Sequence, residues 1–129
     1  MKTLMINWQR LLSKGSTCPR CGSTENELEK AIPALEKLLT PLGIKVVLEK
    51  SEISEAEFKV NPAISNRILL NNKPLEEYLN ANTSQSQCCE VCGDSKCRTI
   101  ELEDKTYEVI PQDLIVRAGL IAASQLVSL

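Results

Sequence analysis

The chain has no histidine, and its aromatic residues are limited to Trp8, Phe58, Tyr78 and Tyr107. Without imidazole it cannot build Ser/His or Cys/His nucleophile pairs, a His-ligated metal centre or a neutral-pH histidine base. Four scattered aromatics do not make a base-stacking platform. A net charge of -2 over 129 residues, with lysines and arginines dispersed, supplies no field that would draw the chain onto nucleic acid or an anionic membrane. There is no long apolar run either. The amino terminus is interrupted by polar residues before a signal-peptide core could form, and residues 114–129 contain Arg117, Ser124 and Gln125 within a stretch too short to span a bilayer. A soluble cytoplasmic protein of one domain, with 114–129 as a core-facing helix, is the expectation.

What the chain does have is cysteine. The six are grouped as Cys18-Pro19-Arg20-Cys21 and Cys88-Cys89-Glu90-Val91-Cys92, with Cys97 beyond. In a reducing compartment such clusters serve redox exchange or metal binding more often than structural disulfides.

The hydrophobic pattern places these cysteines on a framework. Alternation around Leu4, Ile6 and Trp8 predicts a strand within residues 1–12. Helical spacing of Leu28, Ile32, Leu35, Leu38, Leu39 and Leu42 predicts a helix that ends at Gly43, with Thr24 and Glu27 spaced as a capping box. Pro33 inside that helix should kink it without ending it. Residues 44–53 alternate as a second strand, giving a β-α-β opening and a parallel pair. Residues 54–63 are polar and irregular, with room for one helical turn. Residues 67–70 form a compact strand and Asn71-Asn72 a turn that tolerates positive φ. Residues 75–79 fit either a hairpin partner or a helical turn. Residues 80–87, all polar but for Ala81, read as a flexible approach to the second cysteine cluster. Residues 99–102 and 106–110 flank Glu103-Asp104-Lys105 as a hairpin, after which Pro111 opens the last helix.

A strand, then Cys-x-x-Cys, then a long helix is the setting of a working dithiol, because amides at a helix start stabilise a thiolate. Cys18 is then the attacking thiol, Cys21 the resolving one, and Arg20 a nearby positive charge. Glu25, Glu27 and Glu29 would complement the helix dipole. The same residues fit a second chemistry. Cys18-Pro19-Arg20-Cys21-Gly22 and Cys89-Glu90-Val91-Cys92-Gly93 are both Cys-x-x-Cys-Gly turns, so Cys18, Cys21, Cys89 and Cys92 could form an all-thiolate four-ligand zinc site. A helix starting at Thr24 would suit that reading by leaving both thiols of the first pair on a turn.

Cys88, Cys89, Cys92 and Cys97 form a dense secondary thiol cluster. It fits a relay for Cys18 and Cys21, or a site for a soft thiophilic metal or metalloid. An iron–sulfur pattern of the plant type is not matched, since the cysteine gaps run in the opposite order. The redox reading needs no cofactor, and its partners are protein or small-molecule thiols and disulfides.

On Cys18-Pro19-Arg20-Cys21, placed between strand and helix, the chain resembles the thioredoxin-like superfamily, and the proline after the first cysteine looks like the glutaredoxin variant. With Ser65-Asn66-Arg67-Ile68-Leu69-Leu70-Asn71-Asn72-Lys73-Pro74-Leu75-Glu76 and Cys89 through Thr99 added, it also resembles a small uncharacterised prokaryotic family of cysteine-rich thioredoxin-like proteins. The resemblance implies an α/β thioredoxin-like sandwich with a mixed sheet and a cysteine-rich insertion at about 80–97. The implied activity is thiol-disulfide exchange.

Overall fold

The computed structural model describes residues 2–11, 19–60, 67–87 and 96–127, some of them (11, 19–22, 55, 58, 59, 84–87 and 96–98) by their backbone alone. The first strand, β1, runs Lys2–Leu11, and helix α1 runs Pro19–Leu39. A 3-10 turn, Thr40–Leu42, closes on Gly43, whose φ of 77° lies in the left-handed region that glycine enters without strain. Then come β2 (Ile44–Ile53), α2 (Glu55–Val60), β3 (Arg67–Leu70), β4 (Lys73–Pro74) and α3 (Leu75–Leu79). The chain continues through β5 (Asn82–Gln87), β6 (Lys96–Leu102), β7 (Lys105–Tyr107) and α4 (Gln112–Ser124).

The result is a mixed α/β fold with two sheets. The larger has the order β2-β1-β3-β4. β1 lies parallel to β2, with Leu4 opposite Val46 and Trp8 opposite Lys50, and antiparallel to β3, with Gln9 opposite Arg67. Parallel neighbours need a crossover, and α1 supplies it.

One face of this sheet is the core. Leu4, Ile6 and Trp8 alternate along β1 and are fully buried, together with Ile68 and Leu70 of β3. α1 covers them with Leu28, Ala31, Leu35 and Leu39, and α4 with Leu114, Ile115, Ala118 and Ala122. Gly119 lets the two helices close, since a Cβ there would come within 2.8 Å of the Leu35 side chain. The core-facing helix expected over 114–129 is present as far as Ser124, with 125–127 in a turn and 128–129 outside the described residues, and no helix of the described residues is long and apolar enough to cross a membrane.

The opposite face of β1 is half-buried and polar toward its C-terminal end. Asn7 Nδ2 donates to Ser51 Oγ at 2.9 Å. Arg67 donates from both Nε (2.9 Å) and Nη2 (2.7 Å) to Gln9 Oε1. At the other end of the pair, Asn71 locks β3 to β1: its N–H donates to Met5 O and its Oδ1 accepts from Met5 N. Asn71 and Asn72 have φ of 50° and 68°, as expected of that turn. Residues 73–79 satisfy both alternatives, pairing briefly as β4 before turning into α3, where the buried Tyr78 hydroxyl donates to Leu70 O at 2.7 Å.

Three expectations about α1 need correction. The helix does not start at Thr24 but five residues earlier, at Pro19. Thr24 is buried, and its Oγ1 accepts the N–H of Ile110, 86 residues away. Glu27 Oε1 accepts the N–H of Gln112 at the start of α4, so this carboxylate serves another helix's orphan amide. The capping box instead closes α2, where Glu57 N donates to Ser54 Oγ and Ser54 N donates to Glu57 Oε1. Nor do Glu25, Glu27 and Glu29 occupy the first turn of α1, which contains no acid.

The polar stretch 80–87 is largely a strand. β5 pairs antiparallel with β6 from Asn82 opposite Glu101 to Gln87 opposite Lys96, and β6 pairs with β7. Strand pairing uses backbone groups, so Asn-Thr-Ser-Gln-Ser-Gln can join a ladder despite its lack of apolar alternation. The last hairpin is also tighter than expected: Lys105 belongs to β7, leaving Glu103 and Asp104 as a two-residue turn with φ of 53° and 66°. α1 continues through Pro33, as expected.

Candidate thiol site at the end of the first strand

The topology brings several chain segments to one end of the larger sheet. β1 and β2 are parallel and finish there, β3 starts there, and α1 begins there after the connection from β1. Arg20 and Cys21 lie on the backbone of the first turn of α1. Cys97 is on β6, opposite Ser86. Cys18, Cys88, Cys89 and Cys92 lie outside the described residues, as do the side chains of Arg20, Cys21 and Cys97. In sequence, residues 88–95 connect the paired ends Gln87 and Lys96, so three of the six cysteines fall between β5 and β6.

Charge at this end is arranged in two ways. On the α1 side, Lys50 Nζ binds Glu25 Oε2 at 2.8 Å and Glu29 Oε1 at 3.1 Å. The hydrogen bond that Lys50 donates to Glu25 raises the Lys50 pKa above its ordinary value, against the lowering effect of partial burial. The two carboxylates thus share one ammonium, which offsets one of their two negative charges. The third, Glu27, is held below the ordinary carboxylate pKa, chiefly by the Gln112 N–H, against the opposing effect of desolvation.

The arginines differ. Arg10 is half-buried and its guanidinium lies 5.1 Å from the centroid of the Trp8 ring. Its Nη1 is sealed from solvent with no hydrogen-bond acceptor among the described residues. Glu52 is its cross-strand neighbour in the parallel register, but no ion pair forms between them. Arg67 spends two donors on the neutral oxygen of Gln9. Among the described residues, neither arginine has a carboxylate partner.

Lys50, opposite Trp8 on β2, ties that part of the sheet to Glu25 and Glu29 of α1. Arg10 is two residues farther along β1, about 6.6 Å at strand rise, toward the end of the sheet from which α1 sets out. Sequence reading singled out neither Arg10 nor Arg67. The available signal was the Leu4, Ile6, Trp8, Arg10 alternation, which puts a cation on the core face at the end of a strand.

The described residues also include a shallow groove of 640 Å³ between α1 and α4, with Ala34, Val116 and Leu120 as its floor and Glu27, Asp113 and Arg117 at its rim. It has no thiol.

A family model described as "Domain of unknown function (DUF2703)" matches residues 4–119, nearly the whole chain. The chain belongs to the DUF2703 family. It is similar to an uncharacterized protein of Archaeoglobus fulgidus, with 42% identity over 112 residues that cover 87% of this chain and 82% of that protein. No solved structure matches. The DUF2703 match begins on β1 and ends within α4, so it takes in both sheets and the segment between β1 and α1 that carries Cys18.

Proposed function

We propose that this DUF2703 protein is a cytoplasmic thiol-disulfide oxidoreductase on a thioredoxin-like domain, with Cys18 attacking and Cys21 resolving. The observation that carries the reading is the start of α1 at Pro19, immediately after Cys18, with Cys21 in its first turn. Helix-start amides and their dipole favour a thiolate there. A parallel β-α-β unit followed by antiparallel strands in one mixed sheet supports the thioredoxin-like placement.

In the exchange, the Cys18 thiolate attacks one sulfur of a substrate disulfide. The substrate S–S bond breaks, a Cys18–substrate bond forms and one thiolate leaves. The Cys21 thiolate then attacks Cys18, closes the Cys18–Cys21 disulfide and expels the second thiolate. Two electrons pass to the substrate, whose thiolates take protons from water. An external dithiol of lower potential restores the pair. Cys88, Cys89, Cys92 and Cys97, between and on β5 and β6, are read as a relay or regulatory cluster.

The start of α1 also weighs against the four-thiolate zinc site of Cys18, Cys21, Cys89 and Cys92. That reading was favoured by a turn free of helix, and Cys21 is inside one. Reduction of a model disulfide by dithiothreitol-recycled protein tests the proposal. Cys18→Ser should abolish turnover, and Cys21→Ser should trap a mixed disulfide visible by mass. Equal activity of both variants and the parent would overturn the assignment, as would about one zinc per chain held by thiolates in anaerobically prepared protein.

A further inference from the structure

We propose that the thiol end of the sheet selects small disulfides and thiols carrying carboxylates, with Arg10 as the fork that takes a carboxylate and Arg67 as the second positive charge. The inference rests on the dithiol reading and names its substrate class. Three observations carry it.

First, Arg10 holds a guanidinium nitrogen sealed from water without an acceptor among the described residues. A buried charged donor left unpaired costs more than a neutral one, and folded proteins retain few. Planar guanidinium donors match a carboxylate in two places. The cation–π contact with Trp8, 5.1 Å from the ring centroid, restrains the guanidinium and reduces the freedom it would lose on binding.

Second, Arg67 flanks the same end from the other sheet face, its charge met among the described residues by the Gln9 amide oxygen. Third, the carboxylates of α1 nearest this end, Glu25 and Glu29, are already taken by Lys50. Glu52 is the acid that faces Arg10 across the strands, and it stays outside ion-pair distance. Among the described residues, two arginines without a carboxylate partner thus lie at the end of the sheet where the dithiol motif begins. Such a local field raises the encounter rate of anions and is weakened by salt.

Three aliphatic disulfides that differ in charge provide the test: dithiodipropionate, hydroxyethyl disulfide and cystamine, reduced with dithiothreitol recycling. For the parent protein, kcat/KM should fall in that order, and salt should compress the differences. Arg10→Met and Arg67→Met should each lower the dithiodipropionate to hydroxyethyl disulfide ratio, Arg10→Met by about tenfold, while Arg10→Lys should recover part of it. A variant damaged only in folding would lose both substrates together and leave the ratio in place.

Binding supplies a readout apart from turnover. Trp8 is the chain's one tryptophan, so dithiodipropionate should shift its fluorescence in parent protein and not in Arg10→Met. A flat or reversed charge order in an active parent overturns the inference and leaves the dithiol reading standing. A fluorescence shift without turnover of any of the three disulfides sinks the dithiol reading and leaves the anion site. Absence of both shift and charge order removes the site. Should Arg10→Met fail to fold, Arg67→Met and the salt dependence of the parent decide.

Discussion

The two sheets of this protein are built on different physics. In the larger, β1 is the central support: Leu4, Ile6 and Trp8 face α1 and α4 with no exposed surface, and apolar burial of that kind is the main driving force of folding. In the smaller, the central strand β6 contributes Thr99 and Ile100 to the buried set, and β5 is a run of Asn, Thr, Ser and Gln held by its backbone ladder. The smaller sheet joins the rest through Ile100 in the common core, the bond from Thr83 Oγ1 to Glu76 on α3, and, just beyond β7, the Ile110 N–H donated to Thr24 Oγ1 on α1. An apolar layer and a more polar ribbon therefore occupy one chain, and four of the six cysteines belong to the ribbon or to the segment between its strands. Regions of low local stability are where binding and exchange elements are commonly found.

Substitutions can test how separate the two layers are. Trp8→Ala should cost most, about 3–5 kcal/mol, because it empties the centre of the helix-covered face; urea unfolding measures it. Ile100→Ala should cost about 2 kcal/mol, the low end for a buried isoleucine, since a ribbon can settle over the gap. Hydrogen exchange should then show loss of protection in β5–β7 ahead of β1–β3. If both sheets lose protection together, the molecule is one cooperative unit and the contrast fails. Thr24→Val keeps the shape of the seam and removes its acceptor, leaving a buried N–H unpaired, for about 1–2 kcal/mol.

The smallest effect is in pH dependence. Because folding lowers the Glu27 pKa, this carboxylate contributes stability that is present above its unfolded value and lost as pH falls through the folded one. Across about pH 5 to 3, where carboxylates titrate, Glu27→Gln should flatten the decline in stability seen in the parent. Unfolding free energies at a series of pH values would show it, and parallel curves would discount the Gln112 contact.

Much of the larger sheet was legible because its signals are local. The Leu4, Ile6, Trp8 alternation marks β1, the period of Leu28, Leu35 and Leu39 marks α1, and Asn71-Asn72 marks a turn that needs positive φ. The smaller sheet was half legible. Its last hairpin follows from Glu103-Asp104, but β5 has no apolar alternation to read and exists by pairing with a strand nine residues farther on. Thr24 and Glu27 had capping-box spacing, yet their oxygens serve Ile110 and Gln112. Ser54 and Glu57 have the same spacing and do form the box.

By itself, then, the sequence determined the order of elements in the first half of the chain, the paired cysteines and the chemistry closed off by the lack of histidine, since periodicity and side-chain inventory are properties of neighbouring residues. The tertiary structure alone decided where α1 begins, which acids share Lys50 and which arginines lack a carboxylate partner among the described residues. Those outcomes depend on groups far apart in the chain competing for the same hydrogen bonds and charges, a competition settled only once the sheet and its helices have packed.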